Sequence, residues 1–246
     1  MPALSPDLDI ETPRKAMAET TRCQLEGVLD AETLAAARAA VDAVPRWTLV
    51  TKLHGKHFDL DSAAMAAQSP AQRADFQRHV DGEAERGFAY LYDSYSLYDK
   101  WHKGELRDEA PALCDLYEMI NSDVFLEPMR KVLDTPTISF ADAQLTRYTA
   151  GHFLTTHDDG VAGKNRVAAY VLTLSERWGK AWGGLLEFYK PDGSVDTAFV
   201  PRGNTLSMFR VPQPHAVTRV GDKVKAARVS ITGWLRTGED PGPDGR

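Results

Sequence analysis

Four residues in the second half of the chain have types and spacings that suit metal chemistry: His157, Asp159, His215 and Arg228. Two histidines and one carboxylate are the protein ligands of the facial triad, which holds non-haem Fe(II) and leaves coordination positions open for oxygen chemistry. Side chains at i and i+2 point to the same face of a strand, so one strand can present His157 and Asp159 together. His215 must then arrive from a distant strand. These residues predict an iron-dependent oxygenase.

Arg228 begins an alternating segment in which Arg228, Ser230 and Thr232 share one face of a predicted strand. An arginine that faces the interior of a barrel is unfavourable unless it meets an anion. Its planar guanidinium suits bidentate binding of a carboxylate, so we expect a carboxylate cosubstrate here, with Tyr148 as a second donor. The alternatives are a structural ion pair with a buried acid for Arg228 and an ordinary core position for Tyr148.

The His-x-Asp motif is weak by itself, because a strand-end histidine followed by the turn residues Asp158, Asp159 and Gly160 would give the same pattern. His215 could likewise be a rim residue in the proline-stiffened loop 212–214. The remaining histidines lack comparable partners, and we interpret them as surface or satisfied core residues. They are His54, His57, His79, His102 and His152.

Composition restricts the class of protein further. The chain has 246 residues, 43% hydrophobic and 26% charged, which is ordinary for a soluble globular domain. The formal net charge of -6 argues against direct nucleic-acid binding and favours a basic peptide or protein as partner. No segment is apolar enough to span a membrane, and the first residues do not resemble a signal peptide. With only Cys23 and Cys114, no disulfide framework is expected, so we predict a cytoplasmic protein.

The pattern of elements predicts an α+β fold that is mainly β: a double-stranded β-helix, or jelly roll, with supporting N-terminal helices. Residues 1–20 are predicted to be a flexible arm and 237–246 a disordered tail, because both are polar and rich in proline or glycine. Between them lies a single domain, with helical support over 21–134 and a jelly-roll core over 135–236.

Within the helical part, we predict a helix that Asp30 caps and Pro45 ends, a second over 61–86, and a third over 110–133 that breaks near 121–123. An extended segment is expected over 47–53, and an aromatic strand over 88–95. The short β-type segments of the core are separated by glycine, proline, asparagine and aspartate. They are 137–149, 152–157, 166–174, 184–189, 195–200, 204–209, 215–220 and 227–236.

Four blocks of sequence carry a more specific resemblance. They are QLTRYTAGHFLTTHDD (144–159), RVAAYVLTL (166–174), WGGLLEFY (182–189) and RVSITGW (228–234). In this order they resemble the prolyl-hydroxylase branch of the Fe(II)/2-oxoglutarate dioxygenases, and within it the ribosomal-protein prolyl hydroxylases. The resemblance covers a little over a third of the chain strongly.

The resemblance implies roles for individual residues. His157, Asp159 and His215 would bind Fe(II), and Arg228 would bind the distal carboxylate of 2-oxoglutarate. Tyr148, Ser230 and Thr173 complete the candidate cosubstrate site; Thr173 stands where the hypoxia-factor enzymes carry a tyrosine that touches 2-oxoglutarate. The implied cofactors are Fe(II), 2-oxoglutarate and O2, with ascorbate as a reductant.

For the substrate, the resemblance implies a prolyl residue in a peptide or protein, for instance a ribosomal protein. The aromatic segment 88–95 and the loop 178–182 are candidates for lining the pocket mouth, although packing in the core is the alternative for both. One rival interpretation is a hydroxylase of a free amino acid or another small molecule. A second, from another class, is a jelly-roll binding module without redox chemistry.

Overall fold

The structure is a computed structural model that describes residues 1–243. In this range the helices are α1 (Glu11–Thr20), α2 (Ala31–Asp42), α3 (Ser62–Ala66), α4 (Pro70–Arg86), α5 (Leu97–His102), α6 (Leu106–Glu109), α7 (Pro111–Ile120) and α8 (Asp123–Leu133). The strands are β1 (Arg22–Glu26), β2 (Thr48–Leu53), β3 (Lys56–Asp61), β4 (Tyr90–Ser96), β5 (Ile138–Ala141), β6 (Gln144–Tyr148), β7 (Phe153–His157), β8 (Arg166–Thr173), β9 (Leu186–Tyr189), β10 (Val195–Phe199), β11 (Thr205–Arg210), β12 (His215–Val217) and β13 (Arg228–Thr237).

The strands form an antiparallel sheet that curls into a half-barrel, in the order β1-β11-β8-β13-β6-β4-β7-β12-β9-β10. Strand β4 pairs along one edge with β6 through residues 93–96 and with β7 through residues 90–91, so it joins the two parts of the curled sheet. The hairpin β2–β3 adds to β4, and β5 adds to β13. This architecture confirms the predicted double-stranded β-helix with supporting helices.

The helices and the sheet share one hydrophobic core. Phe125 and Met129 of α8 are fully buried in the same cluster as Leu172 of β8 and Ile231 of β13. Burial of side chains of this size stabilises each by about 1.5–3 kcal/mol, so the helical half anchors the sheet from one side. The opposite side of the sheet is left to form the cavity described below. No helix within residues 1–243 has the length and apolarity to cross a bilayer.

Two predictions about the ends of the chain need revision. The predicted flexible arm over 1–20 is wrong, because it contains helix α1, whose Met17 is 2% exposed in the core. The helix is polar in composition except for a narrow buried stripe, which is why the sequence did not indicate it. An isolated β-bridge between Leu4 and Leu29 holds the segment before the helix. In the predicted tail over 237–246, Asp240 accepts hydrogen bonds from Tyr98 and His102. Residues 244–246 lie outside the described range.

The helical elements follow the local signals closely. Asp30 accepts a hydrogen bond from the amide of Thr33 and caps α2, and the break near 121–123 separates α7 from α8. The helix predicted over 61–86 is two helices, because Ser69 and Gln72 form a capping box that starts α4 anew. Strands β1 and β3 were not predicted. β3 is almost entirely exposed, so it lacks the alternation that marks a half-buried strand.

Glycine at position 233 allows β13 to approach the loop before β6. A Cβ added there would lie 1.9 Å from the carbonyl oxygen of Asp142. We expect Gly233→Ala to lower the free energy of unfolding by about 1–3 kcal/mol, because backbone must move to relieve the overlap. The matched control is Gly82→Ala in α4, where the nearest atom is 3.6 Å away and alanine should stabilise the helix by about 0.4–1 kcal/mol. Urea denaturation measures both; equal effects would contradict the close approach.

Candidate metal centre and active-site cavity

Three metal-ligand side chains converge at one end of the sheet. His157 ends β7, His215 begins β12, and the two residues are direct partners in the antiparallel pairing of these strands. Nε2 of His157 lies 3.3 Å from Oδ1 of Asp159, and Nε2 of His215 lies 3.5 Å from its Oδ2. The three ligand atoms lie within 4.8 Å of one another, a separation that suits a single metal ion. The structure therefore brings together the three predicted ligands.

Backbone carbonyls orient both imidazole rings. Nδ1 of His157 lies 3.0 Å from the carbonyl oxygen of Thr155, and Nδ1 of His215 lies 2.7 Å from that of Gln213. A carbonyl only accepts, so each Nδ1 carries the proton and donates it. In the neutral ring, each Nε2 then has its lone pair directed at the shared centre. This arrangement fixes the tautomer that metal binding requires.

Burial determines the protonation of the centre. Burial, together with the nearby ring of His157, lowers the pKa of His215 to about 4. Burial would raise the pKa of Asp159, but its hydrogen bond with His157 and the charges of the two histidines outweigh that effect and hold the pKa below its ordinary value. At neutral pH the centre thus offers a neutral imidazole and a carboxylate, the ligand forms that Fe(II) binds.

The route by which Asp159 reaches the centre differs from the prediction. We predicted that Asp159 lies on one strand with His157, two residues along the same face. Instead β7 ends at His157, and Asp159 lies in a turn with a left-handed backbone, φ +62°. Asp158 begins this turn, and its Oδ1 accepts a hydrogen bond from the amide of Gly160. The alternative interpretation of Asp158, Asp159 and Gly160 as turn residues is therefore correct as well. It is this turn that brings Asp159 to the metal centre.

Arg228 lies in the same cavity as the three ligands and is 2% exposed. Within residues 1–243, neither its Nε nor its Nη1 has a hydrogen-bond partner. Burial lowers its pKa to about 10, so it is still a cation at neutral pH. A buried cation without an acidic partner is strongly unfavourable. The alternative of a structural ion pair is therefore not what holds Arg228 among the described residues, and an anionic ligand, as predicted, fits the site.

The other candidate cosubstrate residues are arranged around Arg228. Tyr148 is its direct partner across β6 and β13, and the guanidinium lies 5.3 Å from the centre of the Tyr148 ring. Ser230 and Thr173 are also buried and face each other across β13 and β8. Tyr148 lines the cavity, whereas Ser230 and Thr173 do not. A contact of either with 2-oxoglutarate stays a prediction.

The cavity has a volume of ≈ 230 Å³ and an aromatic wall. Phe88, Tyr90, Tyr92 and Tyr148 follow one another along it, with successive ring centroids 5.5, 6.0 and 5.1 Å apart. Three of these come from the aromatic segment predicted to line the mouth, and Phe88 is 43% exposed. The other proposed lining element, the loop with Trp178 and Trp182, does not border the cavity.

Several residues that line the cavity were not predicted from the sequence. Gln144 and Thr146 precede Tyr148 at alternating positions of β6, a pattern that could have identified them. Arg166 also lines the cavity; its guanidinium lies 3.5 Å from the centre of the Trp234 ring, and its Nη1 donates to the carbonyl of Asp159. No local signal indicates the contact with Trp234, because it depends on the register between β8 and β13.

Comparison with known proteins agrees with this geometry. Residues 143–236 match the model of the 2OG-Fe(II) oxygenase superfamily, a segment that contains all three ligands and Arg228. This segment is therefore similar in sequence to the 2-oxoglutarate–Fe(II) oxygenase superfamily. It is 33% identical over 149 residues to prolyl 3-hydroxylase OGFOD1 of Xenopus laevis. That alignment covers 58% of this chain and 29% of the relative, so the chain spans less than a third of the relative's length.

Two solved structures of prolyl hydroxylases have a similar fold. A prolyl-4-hydroxylase from Pseudomonas putida matches with a TM-score of 0.58 and 18% identity, over 94% of this chain and 100% of that one. A Trichoplax adhaerens prolyl hydroxylase, solved with a hypoxia-inducible-factor peptide, matches with a TM-score of 0.59 and 16% identity, over 93% and 89% of the two chains. At these identities the likeness concerns the fold.

Substitution of the metal ligands tests the proposed metal centre. His157→Ala, His215→Ala and Asp159→Asn should each abolish Fe(II)-dependent turnover and leave the unfolding midpoint close to that of the wild type, since the sheet holds the site. Asparagine is chosen at 159 because it tolerates the left-handed backbone. Asp158→Asn is the control and should retain activity, because Asp158 lies outside the ligand group and the amide oxygen of asparagine still accepts the hydrogen bond from Gly160 that forms the turn. Iron binding is measured by titration without oxygen; loss of iron in the Asp158 variant would show that the wrong carboxylate was assigned.

Substitution of Arg228 tests its role in binding 2-oxoglutarate. Lysine keeps the charge and loses the planar pair of donors, so Arg228→Lys should raise the KM for 2-oxoglutarate. A charge-assisted contact contributes about 1.5–3 kcal/mol, which corresponds to roughly one to two decades in affinity. Arg147→Lys is the matched control, because Arg147 lies on β6 but pairs with Asp93 away from the cavity. Equal KM values in the two variants would contradict a role of Arg228 in cosubstrate binding.

Proposed function

We propose that this protein hydroxylates a prolyl residue of a peptide or protein substrate, with conversion of 2-oxoglutarate to succinate and CO2. The observation that carries the proposal is the joint placement of the triad His157, Asp159 and His215 and the buried, unpaired Arg228 on one cavity. The homology to prolyl hydroxylases supports the choice of substrate.

The residues present fit both cofactors of the family. His157, Asp159 and His215 would hold Fe(II), and Arg228, with Tyr148 beside it, would hold the distal carboxylate of 2-oxoglutarate. When bound, the two together supply the oxidising power that inserts one atom of O2 into a C–H bond. The chain contributes the fixed tautomers of the histidines, the cation that orients the cosubstrate, and a buried cavity that limits access of water.

The charges of the cavity favour a peptide over a free amino acid. A free amino acid brings an ammonium group that needs an acidic partner when it is enclosed. Among the described residues that line the cavity, the carboxylate group belongs to Asp159, which is a metal ligand. A residue inside a peptide has no ammonium group. The half-exposed Phe88 at the mouth supports entry of a longer chain.

One observation favours the rival substrate. Arg166 gives the cavity a second arginine beside the metal centre, and a guanidinium there suits the carboxylate of a free amino acid. Part of its donor capacity is engaged by the carbonyl of Asp159, and its face is covered by Trp234. We therefore rank a free amino acid, or another small molecule, second.

Finer assignments extend this proposal. We propose a ribosomal protein as one class of substrate, from the resemblance of the sequence blocks, and ascorbate as the reductant. We also propose a reducing, cytoplasmic setting, which the two free and buried thiols of Cys23 and Cys114 support. Ser230 and Thr173 are proposed to act on the cosubstrate through their neighbours rather than at the cavity surface.

Substrate-dependent succinate release tests the proposed function. The enzyme, supplied with Fe(II), 2-oxoglutarate and O2, should release succinate with proline-containing peptides and transfer one oxygen atom to the proline. The same peptides with alanine in place of proline are the matched controls and should not stimulate release. Stimulation by free proline and not by peptides would favour the rival substrate. Fe(II) and 2-oxoglutarate binding without any turnover would favour a binding module.

A further inference from the structure

A chain of hydrogen bonds on the hairpin β2–β3 ends at the wall of the cavity. The hydroxyl of Tyr90 lies 2.7 Å from Nδ1 of His57, and Nε2 of His57 lies 2.9 Å from Oδ1 of Asp59. His57 and Asp59 belong to the exposed strand β3, whereas Tyr90 lines the cavity. None of the three belongs to the metal-ligand group. Two residues of the hairpin, His57 and Asp59, therefore fix the position of the Tyr90 hydroxyl by hydrogen bonds from outside the cavity.

The directions of these hydrogen bonds follow from the groups involved. The carboxylate of Asp59 can only accept, so Nε2 of His57 carries the proton and donates it. In the neutral imidazole, Nδ1 is then an acceptor, and the hydroxyl of Tyr90 must donate to it. The Tyr90 oxygen is left with lone pairs and no proton to give. Its free capacity is that of a hydrogen-bond acceptor.

Tyr90 lies where a substrate must pass. In the aromatic wall it stands between Phe88, whose ring is 5.4 Å from that of His157, and Tyr92, which stacks on Tyr148 beside Arg228. Phe88 is partly exposed at the mouth and Tyr148 is buried. A peptide that enters past Phe88 to bring a residue to the metal centre therefore runs beside the Tyr90 side chain, which lines the same cavity.

We propose that the Tyr90 hydroxyl, held as an acceptor by His57 and Asp59, binds a main-chain N–H of the peptide substrate and so sets its register at the metal centre. Proline has no N–H of its own, and the nearest main-chain donor on its C-terminal side belongs to the residue that follows it. That N–H is the group we assign to Tyr90. Tyr90 is then a specificity-determining residue, with His57 and Asp59 as positioning residues. This inference rests on the proposed function.

The test combines Tyr90→Phe with a change in the substrate. A peptide that the wild-type enzyme hydroxylates is compared with an analogue whose amide after the proline is replaced by an ester, which removes the N–H. For the wild type, the ester should raise the KM for peptide about fivefold, the typical effect of one lost hydrogen bond. Tyr90→Phe should raise it by the same factor with the normal peptide, and the ester should have no further effect in this variant.

Controls separate this role from a structural one. Tyr95→Phe removes the hydroxyl of a tyrosine on the same strand that donates to Glu109 instead, and it should leave the ester effect intact. The KM for 2-oxoglutarate should stay at the wild-type value in Tyr90→Phe. Asp59→Asn should weaken peptide binding in the same direction, because a carboxamide can donate to His57 and reverse the tautomer.

Additive effects of Tyr90→Phe and the ester would overturn the assignment, as would an ester effect seen only when the N–H of the residue before the proline is the one replaced. A rise in the KM for 2-oxoglutarate in Tyr90→Phe would also overturn it. If the wild-type enzyme hydroxylates no prolyl peptide, the proposed function fails, and this inference fails with it. If the peptide is hydroxylated and the ester has no effect, only the inference fails.

Discussion

The direct pairing of His157 with His215 across β7 and β12 is the constraint on which the site depends. Antiparallel partners on the same face lie within reach of one metal ion, and a slip of one residue would turn one imidazole to the other face of the sheet. Each ring also binds the carbonyl two residues before it, so backbone geometry fixes both position and tautomer. The left-handed turn after β7 then needs only to bring one carboxylate to a centre already formed.

The second determinant is a charge buried in the middle of the sheet. Arg228 begins β13, where it pairs with Tyr148 of β6, and it is 2% exposed, so its guanidinium is kept away from solvent. Its low exposure and unpaired donors reduce the stability of the ligand-free protein. The same features make it a strong, oriented site for a carboxylate, because the desolvation has already occurred. The burial that lowers stability is thus the same feature that makes this position suited to an anion.

Local patterns predicted most of the helices and strands, since caps, breaks and alternation depend on residues close in sequence. Helix α2 begins after Asp30, and the break between α7 and α8 falls where it was expected. Elements that lack their own amphipathic signal were missed. Helix α1 is polar with a narrow buried stripe, and β3 is exposed along most of its length. Both exist because neighbouring elements provide partners, β2 for β3 and β1 and α8 for α1.

At the site, the sequence by itself determined the residue types that can hold iron and a carboxylate, and the strand face that Arg228 shares with Thr232, because chemistry and alternation are local. The tertiary structure alone decided how they meet. The turn at Asp159, the stacking of Arg166 on Trp234, and the hydrogen bonds from Asp59 through His57 to Tyr90 have no local signature. Each depends on turn geometry or on the register between separate strands, which long-range packing selects.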